Sequence, residues 1–331
     1  MPAIPVTWWI AFNAFVIFML ALDLGVFNRK AHVVKLKEAL GWTAVWIVMA
    51  MIFNAWVWWK LGPTQGKEFL AGYLLEKSLS VDNVFVFAVI FSFFKVPREY
   101  QHKVLFWGIF GALVLRAAMI AGGAALITSF SWIIYIFAAL LVYTGIKMFF
   151  HDEDSVDPGK SIAVRLLKRT MPMTGDYVGS KFLVKQDGKW FATPLLAVLL
   201  CVEVTDVIFA VDSIPAIFAI TTDTFIIYTS NVFAILGLRA LYFAIAGILP
   251  YFHFLKYGLG VILVFVGVKM SLAHSQWKID MNVSLLVIAG VLVTSVIASI
   301  IHRKLHPLPE PAESPEDAVK AEIAEREKEK E

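Results

Sequence analysis

Long apolar runs, broken by short polar or basic segments, set the pattern of this chain. Crossing a bilayer as a helix takes roughly 20 apolar residues. Nine runs reach about that length, at 7–27, 39–60, 68–94, 103–127, 131–150, 193–220, 224–248, 252–272 and 279–302. Trp8, Trp9, Trp56, Trp58, Trp59, Trp132, Tyr135 and Trp277 stand near run ends, where aromatic residues anchor helices at the membrane interface. The pattern predicts an all-α polytopic membrane protein with about nine transmembrane helices.

The polar intervals orient these helices. Arg29, Lys30, Lys35 and Lys37 fall in 28–38, and Lys95, Arg98 and Lys103 in 95–103. Seven Lys/Arg lie in 151–192, and Arg303-Lys304 open the tail. The alternate loops, 61–67, 128–130, 221–223 and 273–278, carry few charges. Basic loops mark the cytoplasmic side, so the N-terminus is expected outside and the C-terminus in the cytoplasm. Within 151–192, a basic helix-like stretch near 160–169 precedes Asp187-Gly188, which stands between two β-prone runs as a hairpin signal. The tail 304–331 is charged, rich in Pro, Glu and Lys, and is expected to be disordered.

Composition agrees with this reading. The chain is 59% hydrophobic and 17% charged, against about 25% charged in soluble domains. The formal charge of +3 comes from loop residues, so nucleic acid is not an expected partner, whereas the lipid bilayer is. The single cysteine, Cys201, excludes an internal disulfide and a cysteine-built metal site. No basic segment precedes the first run, so no cleavable signal peptide is expected.

The informative polar positions lie inside the apolar runs, and they repeat. Glu76-Lys-Ser-Leu-Ser-Val-Asp82-Asn83 recurs as Asp206-Val-Ile-Phe-Ala-Val-Asp212-Ser213, with Glu203 just upstream and Pro215 just downstream. Glu76 aligns with Asp206 and Asp82 with Asp212. Gly111-Ala-Leu-Val-Leu-Arg116 aligns with Ala234-Ile-Leu-Gly-Leu-Arg239, and Gly145-Ile-Lys147-Met with Gly267-Val-Lys269-Met. Each copy spans three helices, 68–150 and 193–272. Three is odd and a basic inside segment joins the copies, so they are expected as an inverted three-plus-three repeat with a site at its interface. The remaining organisation is two N-terminal helices in 1–67, the linker 151–192, and a last helix in 273–303.

Ionisable groups at membrane depth are costly and mark function by default. Glu76, Asp82, Glu203, Asp206 and Asp212 are the candidate metal ligands, with Ser80, Asn83, Ser213 and Asn231 as supporting polar groups. These are oxygen donors, suited to Mn²⁺, Mg²⁺ or Ca²⁺. Six residues leave Glu76 and Asp82 about 120° apart on a regular helix, and Pro215 removes a helical hydrogen bond. Both helices are therefore expected to unwind or kink near 82–83 and 212–213. Glu203 has no acidic counterpart in the first copy. The plainer reading makes any single acid a structural partner of Arg116 or Arg239, and those arginines are read as gate or ion-pair residues. Lys147 and Lys269 are expected to snorkel, Lys77 to snorkel or to pair with an acid, and the seven histidines to be solvated. Asp23 either joins the pathway or caps its helix. The glycines, Gly108 and Gly111 among them, are read as helix-packing contacts. No nucleophile–base arrangement is visible, so no enzyme and no permanent cofactor is expected.

These motifs, with Ala192-Thr-Pro194-Leu, Ser230-Asn231-x-Phe-Ala-Ile-Leu-Gly237-Leu-Arg239 and Lys256-Tyr-Gly-Leu, make the chain resemble the TerC family, close to its Alx-type bacterial branch. The resemblance covers about residues 8–300. It implies kinship with LysE-type transporters, manganese export, and an inner-membrane location. The expected function is a divalent metal exporter with Mn²⁺ as transported substrate and with proton coupling motivated by the excess of acids. The alternatives are another cation, Ca²⁺ or Mg²⁺, or a non-transporting scaffold in tellurite or envelope stress resistance. Homo-oligomer formation stays open.

Overall fold

In a computed structural model, the chain is described over residues 4–22, 36–150, 161–186, 188–245, 254–273, 275 and 277–305. Asp23, five of the seven histidines and the tail from 306 onward lie outside those residues, as does the side chain of Asp82.

The apolar runs form helices: α1 Val6–Leu22, α2 Leu36–Leu61, α3 Pro63–Phe93, α4 Arg98–Ser129 and α5 Ile133–Phe150. After the linker come α7 Pro194–Phe218, α8 Thr224–Leu236, α9 Leu238–Ile245, α10 Leu255–Ser271 and α11 Met281–Leu305. The linker itself contributes α6 Ile162–Thr170 and a two-stranded antiparallel hairpin, β1 Leu183–Gln186 and β2 Lys189–Ala192, with Gln186 opposite Lys189. Gly188, at φ 77°, supplies the left-handed turn residue that L side chains avoid.

Among the described residues, six helices are long and apolar enough to cross a membrane: α2, α4, α5, α7, the Thr224–Ala244 span across α8 and α9, and α11. The charges of Glu68, Glu76, Lys77 and Asp82 lower the hydropathy of α3, and α1 and α10 are 17 residues each. The architecture is mostly helical.

Burial is inverted relative to a soluble bundle. Large apolar side chains such as Ile10, Trp59, Phe150 and Leu286 are exposed on outer faces, whereas Glu76, Asn83, Arg116, Asp206 and Asn231 are buried. α8 is the central helix, buried nearly all round, as a helix apolar on every face should be. Asp223 starts it by accepting from the backbone N–H groups of Phe225 and Ile226. α3 packs against α7 and α8, and so does α4. α5 and α10 make the most intimate helix pair, because Gly145, Gly260 and Gly267 bring backbone onto backbone: a Cβ on Gly145 would stand 2.7 Å from the Gly260 carbonyl oxygen, and one on Gly267 2.8 Å from that of Ala138.

The expected unwinding is absent. α3 runs helical through Asp82 and Asn83, and α7 through Asp212, Ser213 and Pro215. Residues 213–218 are all buried, and this packing holds the turn that Pro215 weakens. The break in this region falls instead at Gly237, between α8 and α9.

Candidate functional site

The site is built on one arginine. Arg116 projects from α4 into the space between α3, α7 and α8 and is 2% exposed. Its Nη1 donates to Glu76 Oε1 on α3, its Nη2 to Asp206 Oδ1 at 2.9 Å, and its Nε to Asp206 Oδ2 at 3.2 Å on α7. Nη1 also reaches Ser213 Oγ and Asn231 Oδ1, each at 3.4 Å. The planar guanidinium has five N–H donors in a fixed fork, so it gathers two acids from two helices without either helix unwinding.

The predicted ligands do not converge as one set. Glu76 and Asp206 meet on Arg116. Asp212 faces the other way and accepts from Thr144 Oγ1 on α5 at 2.9 Å. Glu203 is half-buried, and its carboxylate occupies the space that a side chain at Gly111 of α4 would fill. Gly111 is thus a seat for Glu203 as well as a packing contact. Among the described residues, no three Asp, Glu, His or Cys side chains form a cluster able to hold a metal ion. Of the five predicted carboxylates, Glu76 and Asp206 meet on Arg116, Glu203 stands one turn before Asp206 on α7, and Asp212 bonds Thr144, while the side chain of Asp82 lies outside the described residues. Asp206 and Asp212 are six positions apart on α7, which leaves them about 120° apart around the helix.

The supporting polar groups divide too. Ser80 Oγ donates to its own helix, to Glu76 O at 2.8 Å. Asn83 is 2% exposed and its Oδ1 has no hydrogen-bond partner. Glu76 Oε2, Glu203 Oε2 and Asn231 Nδ2 are buried and without partners as well. Buried polar atoms are nearly always paired; two of these four residues, Glu76 and Asn231, touch Arg116 through their other polar atom.

The other charges have structural partners. Arg239 Nη1 donates to His102 Nε2 at 2.9 Å. His102 is 7% exposed within α4, which corrects the solvated reading of this histidine. Lys77, next to Glu76 in sequence, turns away from it, and its Nζ lies 3.4 Å from Ala234 O in the last turn of α8. A cation there suits the negative end of a helix dipole. Lys147 is exposed and Lys269 half-buried.

Tyr73 escaped the sequence reading. It stands 130 residues before Glu203, the same offset that relates Glu76 to Asp206 and Asp82 to Asp212. It is buried, and its hydroxyl has no partner. The offset was the available signal; a tyrosine among acids did not register as their counterpart.

Comparison with known proteins is consistent with these motifs. The profile described as "Integral membrane protein TerC family" matches residues 61–306. An uncharacterized membrane protein of Myxococcus xanthus, STKORF319, is 54% identical over 90% of this chain and 93% of its own length. Proteins of Salmonella typhi and Escherichia coli K12, named as candidate membrane-bound redox modulators, Alx, are 48% and 49% identical over 87% of this chain and 92% of theirs. No solved structure matches the chain. A profile match across most of the length, relatives near half identity, and several apolar helices around a buried polar centre lead to one conclusion: the chain is a multi-pass integral membrane protein and belongs to the TerC family.

Proposed function

We propose that this protein exports a divalent metal cation, Mn²⁺ foremost, across the bacterial cytoplasmic membrane by alternating access. The observation that carries the reading is the set of unpartnered buried oxygens on α3 and α7, Glu76 Oε2, Asn83 Oδ1 and Glu203 Oε2, of which Glu76 belongs to a carboxylate that Arg116 holds. Leaving one buried acceptor unpaired costs about 1–3 kcal/mol, and a cation offsets that cost where an anion adds to it. Oxygen donors suit hard divalent ions. Glu76, Asp206 and Glu203 against Arg116 leave two negative charges when all are ionised, the balance a divalent ion neutralises. Arg116 then acts as a resident counter-ion that holds Glu76 and Asp206 while the site is without metal.

Three features support an inverted repeat. Glu76 and Asp206, equivalent in sequence, share one guanidinium. Gly145 and Gly267, also equivalent, both lie where α5 and α10 touch backbone to backbone. α3 and α4 each pack on both α7 and α8. In this reading α1, α3 and α10 join the six apolar spans to give nine crossings, with the N-terminus outside. Excess acid motivates proton exchange for metal.

A second reading is favoured by the same arginine. A guanidinium that already satisfies two acids is what a structural lock requires, and a non-transporting scaffold would have one. Purified protein in liposomes with an imposed pH gradient separates the two. Export predicts Mn²⁺ flux that depends on the gradient, with Ca²⁺ and Mg²⁺ competition ranking the ions. Flux no greater than in empty liposomes would overturn the transport reading and leave the lock.

A further inference from the structure

The linker between the two repeat units carries exposed apolar residues beside basic ones. On α6, Ala163, Val164 and Leu167 are buried against the protein, and α6 packs on α7. The opposite face shows Ile162 at 74% and Leu166 at 60% exposure. Arg165 and Arg169 share that face, one turn apart, and are exposed. On the hairpin, Lys185 stands opposite Trp190, and Trp190 is 56% exposed. From 161 to 192 the sequence has six Lys/Arg and two Asp.

The segment is fixed in place. Tyr177 OH donates to Phe94 O at the end of α3 (2.8 Å), and Thr193 Oγ1 to Lys181 O (2.7 Å). Ala192 N donates to Pro172 O, and Thr174 N to Ala192 O, both at 2.9 Å. β2 ends two residues before α7 begins. Trp190 is therefore four extended residues, about 13 Å of chain, from the helix start. That distance is within reach of the headgroup layer.

We propose that α6 and the hairpin lie on the anionic surface of the bilayer into which α7 runs. Ile162, Leu166 and Trp190 enter the interface, while Arg165, Lys168, Arg169 and Lys185 meet lipid phosphates. Tryptophan and basic residues concentrate at this layer, and an amphipathic helix with a basic border binds it by apolar burial plus attraction to anionic lipid. A soluble protein partner would need the same face turned to water, whereas the anchoring to α3 and α7 keeps it beside the membrane. The proposal does not depend on what the protein transports.

The test uses the full chain carrying Leu166→Cys, with a thiol-reactive spin label. The chain's own cysteine, Cys201, is buried. The label's contact with a water-soluble relaxation agent is measured in detergent, in phosphatidylcholine vesicles, and in phosphatidylcholine–phosphatidylglycerol vesicles. The expected result is strong protection in anionic vesicles only. In the Arg165→Glu/Arg169→Glu background the docked-to-free ratio should fall about fivefold or more per charge, given the attraction of each cation for such a surface. These side chains are exposed, so the fold should survive. Equal accessibility in the two vesicle types, whether the label is open to the agent in both or protected in both, would overturn the proposal. Protection in detergent from both the water-soluble agent and oxygen, which dissolves in a micelle, would overturn it as well, by showing that protein, either this chain or a second copy, covers the face.

Discussion

Arg116 grips Asp206 with two parallel hydrogen bonds, Nη2 to Oδ1 at 2.9 Å and Nε to Oδ2 at 3.2 Å, in the buried middle of the bundle. This fork is the most specific geometry a guanidinium makes with a carboxylate, and a lysine at the same place would not reproduce it.

Removing the arginine should therefore destabilise the fold. Arg116→Gln leaves Glu76 and Asp206 buried without a counter-ion, a loss on the order of 3–5 kcal/mol for a broken buried pair. Thermal unfolding in detergent should shift down accordingly. Adding Glu76→Gln and Asp206→Asn to the same chain should restore most of the loss. An Arg116→Gln protein as stable as the parent would show that the acids are already neutral.

Glu203 should behave in the opposite way. It has no ion-pair partner in Arg116, and its Oε2 is unpaired. Glu203→Gln should leave the melting temperature unchanged or higher. If the acid is a ligand, Mn²⁺ flux in liposomes should fall by at least about tenfold, the factor that corresponds to about 1.4 kcal/mol. Unaltered flux at equal protein would take Glu203 out of the pathway.

The α5–α10 contact leaves no room for a side chain. A methyl at Gly145 would stand 2.7 Å from Gly260 O and 2.9 Å from Val264 N, both backbone atoms. Gly145→Ala should cost about 1–3 kcal/mol, the usual range for overpacking. Gly122→Ala is the control, since nothing lies within 4 Å of its Cβ. Equal stability of the two variants, read by thermal unfolding, would contradict the close approach.

Asp280 caps α11 from outside the membrane-spanning helix, and hydrogen bonds from Asn282 and neighbouring backbone N–H groups hold its carboxyl below the usual range. A depressed folded pKa means the stabilisation is present above the unfolded value, near 3.9, and is lost as pH falls through the folded value. The protection of first-turn amides of α11 against hydrogen exchange, taken relative to an unfolded reference at each pH, should fall at acid pH in the parent. In Asp280→Asn that acid dependence should be gone.

The apolar runs, their order and the repeated acidic pattern were readable in the sequence, because lipid and burial both demand long apolar helices and make every interior charge conspicuous. The left-handed position at Gly188 between β1 and β2 was readable for an equally local reason, a conformation that only glycine adopts cheaply. Spacing also placed Glu76 and Asp82 about 120° apart on a regular helix, and α3 is helical at both positions. What spacing could not supply was the partner. Whether Glu76 meets a metal, a proton or Arg116 depends on how α4 lies against α3 and α7, since an ion pair weakens within a few ångströms and 40 residues of chain separate its members. His102 shows the same limit: near a helix end in sequence, it is buried in the fold, with Arg239 of α9 against its ring. Local pattern determined which residues are helical and which are out of place in an apolar setting. Tertiary packing alone decided which of those residues answer one another.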